Sequence, residues 1–257
     1  MVQRGVDSSG AILETQTVTK EFGGLTAVDA VSLRVQRGSI HGLIGPNGAG
    51  KTTFFNLLTK FHKPTSGTIT YDGCDITNLE SEDIAQLGLV RSFQISAVFP
   101  KFTAFENVRI GLLRRHGGTF NFWRSEQTLR PLEKEAHSLL AAVGLNDFKD
   151  VPAAELPYGR KRALEIATTL ALSPNMILLD EPTSGMTAED VENIISLIRE
   201  VSRGRTILMV EHNLSVVSQL CDQITVLVRG RVLAEGNYAA ISNDPAVIEA
   251  YLGDEHV

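Results

Sequence analysis

A glycine-rich octapeptide that ends in lysine and threonine is the part of the chain best suited to hold phosphate. GPNGAGKT matches the pattern G-x-x-x-x-G-K-[ST] at every fixed position. The preceding SIHGLI predicts a strand, and the following TFFNLLTKF predicts a helix that ends before Pro64. Because nucleotide-binding loops occur in this strand–loop–helix order, a chance glycine turn is the weaker interpretation.

The loop residues have distinct predicted roles. The glycines let successive N–H groups face one anion, Lys51 reaches the terminal phosphates, and Thr52 offers its hydroxyl to Mg²⁺. Thr53 extends the polar lip of the loop. The predicted phosphate-binding residues are Gly45, Pro46, Asn47, Gly48, Ala49, Gly50, Lys51, Thr52 and Thr53.

Two adjacent acids follow a second apolar run, MILL. Asp180 is predicted to hold Mg²⁺ directly or through water, because this hard cation keeps much of its hydration. Glu181 points elsewhere in a strand and is predicted to polarise an attacking water. The alternative is that these acids cap the next helix.

Two further polar residues end predicted strands. Gln94 ends GLVRSFQ, and His212 ends RTILMVEH. Ligands of parallel sheets bind at the carboxyl ends of strands, so Gln94 could touch the metal or its water, and His212 could donate to the terminal phosphate. Considered alone, a glutamine or a histidine at a strand end more often has a structural role than a role in ligand binding.

The stretch LPYGRKR, from Leu156 to Arg162, precedes the helical run ALEIATTLAL. A proline and a glycine followed by three cations describe either an ordinary helix start with solvated charges or an anion site at a helix N-terminus. The stretch by itself leaves both interpretations open.

Short apolar strands alternate with helices near both ends of the chain, which predicts an α/β fold with parallel pairing. Two blocks between Thr15 and Val35, separated by Gly23 and Gly24, predict an antiparallel hairpin, and GTITYDG predicts another. From about 102 to 171 the pattern is mostly helical, and HGGTFNFW within it predicts a surface loop.

Composition restricts the possible partners and compartment. The 257 residues include 24 basic and 30 acidic ones, a formal net charge of −6, so we expect no nucleic-acid partner. The two cysteines, Cys74 and Cys221, form no metal or redox motif and favour a reducing compartment, the cytoplasm. No apolar run approaches the ~20 residues that span a bilayer, although docking onto a membrane protein remains open.

The order of these motifs resembles that of the nucleotide-binding subunits of ABC transporters over nearly the whole chain. In this resemblance LPYGR takes the place of the signature LSGGQ, Gln94 that of the Q-loop, and His212 that of the switch histidine. Ser184 to Thr187, SGMT, takes the place of the D-loop. Phe22 falls where the family places an aromatic ring against adenine, although a phenylalanine at a strand end is more often core.

The resemblance implies a fold and an activity. The fold is a P-loop NTPase with an ABC-type RecA-like core, an antiparallel β subdomain and an inserted helical subdomain. One domain covers 1–257, with the core and β subdomain at about 11–94 and 173–257, and the helical subdomain at about 95–172. The activity is hydrolysis of ATP with Mg²⁺. The implied catalytic residues are Glu181, His212 and Gln94, and the implied metal ligands are Thr52, Gln94 and Asp180.

The resemblance also implies partners. Family members act as head-to-tail dimers in which each ATP lies between one phosphate loop and the signature helix of the other subunit. The implied nucleotide contacts on that helix are Pro157, Tyr158, Gly159 and Arg160. Transmembrane permease subunits and, indirectly, a solute-binding protein complete the assembly, and the chain is expected as a peripheral protein on the cytoplasmic face of the inner membrane.

Finer features resemble the ATPases of branched-chain amino acid uptake. These are FGGLTAVD, SFQ, FENV, LPYG, VIEAYLG and the insertion from about Arg109 to Leu132. Urea and amide uptake ATPases and the lipopolysaccharide-export ATPase are similar enough to remain alternatives. A soluble ABC ATPase for DNA or the ribosome lacks support, because neither heptads nor charge runs occur. The third class of function is a nucleotide-binding regulator with little catalytic activity.

Three departures from the family pattern concern the dimer. Pro157 replaces serine and has neither a hydroxyl nor an N–H, and Arg160 replaces glutamine. Thr187 replaces the aspartate of the D-loop. We therefore expect a competent phosphate-loop side and a weakened signature side, which favours a heterodimer with a second ATPase while a homodimer remains possible.

Overall fold

The computed structural model describes residues 10–92, 98–115 and 126–252. Its strands are β1 (Ala11–Phe22), β2 (Leu25–Gln36), β3 (Ile40–Ile44), β4 (Ser66–Tyr71), β5 (Cys74–Asp75), β6 (Leu89–Ser92), β7 (Met176–Asp180), β8 (Thr206–Val210), β9 (Gln223–Val228) and β10 (Arg231–Gly236). Its α-helices are α1 (Lys51–Leu58), α2 (Ser81–Gln86), α3 (Ala104–Arg115), α4 (Glu126–Ala142), α5 (Tyr158–Leu170), α6 (Ala188–Ser202), α7 (Leu214–Leu220), α8 (Tyr238–Ser242) and α9 (Pro245–Leu252).

A six-stranded sheet in the order β10-β9-β3-β8-β7-β6 lies at the centre. Its pairings from β9 to β6 are parallel, as predicted. The exception is β10, which pairs antiparallel with β9. Only Arg229 and Gly230 connect these two strands, too short a link for a parallel crossover. Both residues have positive φ, 50° and 79°, as in a two-residue hairpin turn.

An antiparallel sheet in the order β2-β1-β4-β5 lies beside the first. The predicted hairpin is confirmed, because Phe22 pairs with Leu25 around the two glycines. Val31 of this sheet shares one apolar core with Phe54 of α1 and Leu208 of β8. Helix α1, which begins in the predicted phosphate loop, is therefore held by both sheets.

The predicted helical region contains α3, α4 and α5. Leu112, Leu140 and Leu164 from these helices share a core with Ile177 of β7 and Ile198 of α6. The predicted loop HGGTFNFW lies outside the described residues. Within the described ranges, none of the helices is both long and apolar enough to cross a membrane.

Candidate nucleotide-binding site

The carboxyl ends of β3, β8 and β7 lie side by side at one edge of the parallel sheet. Leu43 pairs with Val210, and Val210 pairs with Asp180, so these residues form one row across the sheet. Neighbouring strands are about 4.8 Å apart, which places Asp180 about 10 Å from Leu43. Gly45 follows Leu43 by two residues, so the predicted phosphate loop and the predicted acidic pair meet at this edge.

The path of the phosphate loop requires glycine at two positions. Gly45 and Gly50 have φ of 149° and 98°. A Cβ added to Gly45 would lie 2.0 Å from the carbonyl oxygen of Leu227, and one added to Gly50 would lie 2.4 Å from that of Ala27. Strands β9 and β2 therefore approach the loop so closely that a side chain at either glycine would displace backbone.

The start of α1 is suited to an anion. Among the described residues, no side chain caps this helix and no acid lies in its first turn. Its first N–H groups and the positive end of its dipole therefore face the loop. The ammonium of buried Lys51 donates to the carbonyl oxygens of Gly45, at 2.6 Å, and Pro46, at 2.8 Å. Thr52 is exposed and Thr53 is half-buried.

Asp180, the last residue of β7, forms an ion pair with Arg91 of β6. Their side chains are 13% and 5% exposed, respectively. Arg91 also donates to the Asn56 side-chain oxygen at 2.7 Å, and its guanidinium lies 5.6 Å from the ring centre of Phe55. Burial lowers the pKa of Arg91, while the contact with Asp180 opposes that shift. Sequence reasoning missed Arg91, although a cation inside the predicted strand GLVRSFQ was a visible signal.

The oxygen donors at this edge could bind Mg²⁺ only together with the phosphates of a bound nucleotide. No group of three or more His, Cys, Asp or Glu side chains in the described part of the chain could hold a metal by itself. Mg²⁺ usually keeps several waters and binds one or two carboxylates together with substrate phosphates. The hydroxyl of Thr52 and the carboxylate of Asp180 match that mode, while Gln94 lies outside the described residues.

Glu181 has a different environment from its neighbour Asp180. Its φ is 48°, an uncommon conformation for a residue with a side chain, and its N–H donates to the carbonyl oxygen of Val210 at 2.9 Å. Its half-buried carboxylate makes no hydrogen bond or ion pair with the residues that the structure describes. One acid is thus paired and the other is open to a water molecule.

His212 lies just beyond β8, with a side chain that is 60% exposed. Its backbone N–H donates at 2.9 Å to the carboxylate of Glu211, which is 0% exposed. Glu211 was also missed from the sequence, although an acid directly after the apolar run TILMV was a signal.

The segment LPYGR begins α5 rather than preceding it. Pro157 is the N-cap residue, with φ of −54°, and Tyr158, Gly159 and Arg160 form the first turn. The predicted helix ALEIATTLAL therefore starts five residues earlier than expected, and Pro157 is tolerated just before it because the helix needs no N–H from that position. A Cβ on Gly159 would lie 2.5 Å from a carboxylate oxygen of Asp190, so a side chain there would have to displace the Asp190 carboxylate.

Two side chains of this turn contact the same chain. The Tyr158 hydroxyl donates to the carbonyl oxygen of Ser184 at 3.1 Å. Arg160 donates to the carbonyl oxygen of Gly144 at 2.9 Å, and its guanidinium lies 5.1 Å from the ring centre of Phe148. The turn is therefore connected to the predicted D-loop on one side and to the helical region on the other.

Thr187 and Phe22 have definite positions as well. The Thr187 hydroxyl oxygen accepts the N–H of Asp190 and caps α6. Phe22 is 41% exposed at the end of β1, so it is not a core residue. Its ring meets that of His62 edge-on, with the ring centres 5.2 Å apart. Its predicted contact with adenine remains a prediction.

The phosphate loop between β3 and α1, together with the acids after β7 of a parallel sheet, defines a P-loop nucleotide-binding protein. A family model described as ABC transporter matches residues 28–184. A second model, described as branched-chain amino acid ATP-binding cassette transporter, matches residues 231–257. The chain belongs to the ABC transporter family and is an ATP-binding, ATP-hydrolysing subunit, which confirms the resemblance.

Known relatives cover nearly the whole chain. The high-affinity branched-chain amino acid transport ATP-binding protein BraF of Pseudomonas aeruginosa is 39% identical over 256 residues, which are 96% of this chain and 99% of BraF. The ADP conformation of an ATP-binding cassette of an ABC transporter is 30% identical, with a TM-score of 0.83 over 95% of this chain and 99% of that one. A dimeric post-hydrolysis cassette bound to ADP and Pi is 26% identical, with a TM-score of 0.73 over 88% and 98% of the two chains. The ABC-type fold is thus confirmed.

Proposed function

We propose that this chain hydrolyses ATP to energise the uptake of branched-chain amino acids. The observation that carries the proposal is the shared sheet edge at which the phosphate loop, Asp180 and Glu181 meet. The transported class rests on the name of BraF and on the family match over 231–257. Related substrates such as urea or amides are outcomes that the uptake experiment distinguishes.

The loop and the acids divide the work of hydrolysis. The N–H groups at the start of α1 bind the phosphates of ATP. The Lys51 ammonium, which donates to the carbonyl oxygens of Gly45 and Pro46, donates to the terminal phosphates when ATP binds. Glu181 accepts a proton from the attacking water, and the exposed ring of His212 donates to the γ-phosphate. Mg²⁺, when bound, supplies positive charge against the phosphates, and Thr52, Asp180 and Gln94 would hold it.

A second ATPase subunit would complete the site with its own signature turn. The dimeric relative supports such an arrangement. The first turn of α5 contains no acid of its own, although the carboxylate of Asp190 in α6 lies against Gly159 and disfavours an anion there. Pro157 has neither an N–H nor a hydroxyl to donate to a phosphate. The guanidinium of Arg160 already donates to the carbonyl oxygen of Gly144 and lies over the ring of Phe148. A weakened signature side follows, so the proposed partner is a different ATPase.

The remaining parts of the proposal follow from this role. Transmembrane permease subunits bind the helical subdomain, for which we keep the bounds of about 95–172. A solute-binding protein delivers the substrate to those permeases from the other side. The chain is thereby a peripheral protein on the cytoplasmic face of the inner membrane.

The catalytic part is tested with Glu181→Gln, which keeps the shape of the side chain and removes its basicity. We expect unchanged ATP affinity and a loss of turnover of at least about 100-fold in the assembled transporter. Glu189→Gln, an exposed acid at the start of α6, is the matched control and should keep turnover. Equal turnover in the Glu181 variant and the wild type would overturn the assignment.

The proposal that the signature side is weakened is tested by introducing the serine and glutamine that the family has at positions 157 and 160. Pro157→Ser together with Arg160→Gln should raise the turnover of the ATP site that this signature turn completes. Each restored hydrogen bond to an ionised phosphate contributes about 1.5 to 3 kcal/mol. Unchanged turnover in the assembled transporter would rule out a weakened signature side.

A further inference from the structure

Glu211 is a buried carboxylate that joins two segments of the nucleotide site. Its side chain is fully buried at the end of β8. One oxygen, Oε1, accepts the N–H of Thr183 at 3.1 Å and also its hydroxyl. The other oxygen, Oε2, accepts the N–H groups of His212, at 2.9 Å, and Asn213, at 3.1 Å. Each oxygen therefore serves a different segment.

Among the described residues, no other side chain is hydrogen-bonded to both segments where they leave the sheet. The last backbone bond between them joins the N–H of Glu181 to the carbonyl oxygen of Val210 at 2.9 Å. Beyond that bond the carboxylate of Glu211 spans from Thr183 to His212. It thus fixes the spacing between the chain that follows Glu181 and the chain that carries the exposed His212.

The carboxylate of Glu211 is held by hydrogen-bond donors and not by a lysine or arginine of the described residues. No lysine or arginine in the described part of the chain forms an ion pair with it, and the nearest ionisable nitrogen is Nδ1 of His212, 4.0 Å from Oε2. Burying a carboxylate is costly unless several donors compensate, and bonds from N–H groups to a carboxylate are short and directional. A neutral apolar residue could fill this position more cheaply, but it would not join the two segments.

The contacts continue from Thr183 to the signature turn. The next residue, Ser184, accepts the hydroxyl of Tyr158 at 3.1 Å through its carbonyl oxygen. A continuous chain of hydrogen bonds therefore connects Tyr158 in α5, the segment at 183–184, Glu211 and the backbone of His212.

We propose that Glu211 is a positioning residue that sets the place of His212 according to the position of the segment at 183–187. This inference rests on the proposed function, in which His212 contacts the γ-phosphate. A displacement of that segment would be transmitted by the carboxylate to His212, so hydrolysis in this subunit would respond to contacts made at its D-loop and signature turn.

The test uses Glu211→Gln, which keeps the volume but turns one acceptor into a donor facing N–H groups. Thr183→Val removes only the hydroxyl bond and serves as a milder second variant if the first folds poorly. The control is Glu235→Gln, because Glu235, an exposed acid of edge strand β10, accepts a hydrogen bond from the hydroxyl of Thr225 in β9. The wild type and Glu181→Gln are measured beside them, so that absent ATPase activity is recognised as failure of the proposed function.

Two readouts separate positioning from simple stability. We expect kcat to fall about 10-fold in Glu211→Gln, with the KM for ATP within about twofold, and to fall much less when His212→Ala is already present. Amide hydrogen exchange at His212 and Asn213 should accelerate in Glu211→Gln but not in Glu235→Gln, whether or not ATP is hydrolysed. Additive losses with His212→Ala, or unchanged kcat and exchange, would overturn the inference.

Discussion

Arg91 and Asp180 form a largely buried ion pair between neighbouring strands, and Arg91 also donates to Asn56 in α1. Asp180 belongs to the row of residues at the sheet edge, while Asn56 lies on the helix that begins in the phosphate loop. One guanidinium therefore connects the two regions that are expected to hold the metal and the phosphates. Its position beside Asp180 follows from the parallel register, in which Arg91 pairs with Leu178.

Arg91→Gln should destabilise the fold strongly, because it leaves the carboxylate of Asp180 buried without its partner. We expect a loss of about 3 kcal/mol in the free energy of unfolding, measured with urea. Arg34→Gln is the control, since it breaks a more exposed pair, in which the Arg34 and Glu14 side chains are 57% and 20% exposed, and should cost below about 1 kcal/mol. Comparable losses in the two variants would contradict a structural role for the buried pair.

Gly45→Ala and Gly48→Ala should differ in their effect on ATP binding. The Cβ at Gly45 would meet the backbone of Leu227, whereas the structure shows nothing within 4 Å of a Cβ at Gly48 among its described residues. Gly48→Ala therefore carries only the strain of its φ of 74°, about 1 to 2 kcal/mol. Calorimetry with ATP should show a loss of affinity of more than about tenfold for Gly45→Ala and a smaller loss for Gly48→Ala. The reverse order would argue against the described loop path.

His41 should make the stability of the protein depend on pH below neutrality. Its buried ring contacts the hydroxyl of Thr225 at 2.8 Å, and burial lowers its pKa from 6.5 to about 4. Between these two values the unfolded chain binds the proton and the folded chain does not, so stability is fully present above pH 6.5 and falls as the pH decreases towards 4. The contribution is about 3 kcal/mol over that interval.

The measurement for His41 is urea unfolding at a series of pH values. His41→Gln should reduce the slope of stability against pH between about 4 and 6.5. His62→Gln is the control, because that ring lies half-buried against exposed Phe22. Identical slopes in His41→Gln and the wild type would show that the buried ring is not the source.

The phosphate loop and the acidic pair could be predicted because each is a continuous stretch with a specific residue order. Arg91 and Glu211 could not be assigned, because their contacts depend on how β6, β7 and β8 pair and on where the chain turns after each strand. The sequence shows that each charged side chain is present, but the atoms that pair or hydrogen-bond with it belong to other parts of the chain.

Element boundaries were predicted less well than the elements themselves. The sequence predicts that the proline and glycine of LPYGR precede a helix, yet Pro157 caps α5 and Gly159 lies in its first turn against Asp190. The carboxylate that crowds Gly159 comes from α6, which is distant in sequence. Similarly, the antiparallel β10 follows from a two-residue turn that the alternation of strands and helices does not reveal.

Coupled uptake tests the central claim most directly. The chain is reconstituted with its second ATPase and permease subunits in proteoliposomes, and labelled leucine uptake is measured together with ATP hydrolysis, with urea as the competing substrate. We expect ATP-dependent leucine uptake that disappears together with hydrolysis in Glu181→Gln, and no competition by urea. Leucine uptake that persists in Glu181→Gln, or ATP hydrolysis that drives no leucine uptake, would contradict it.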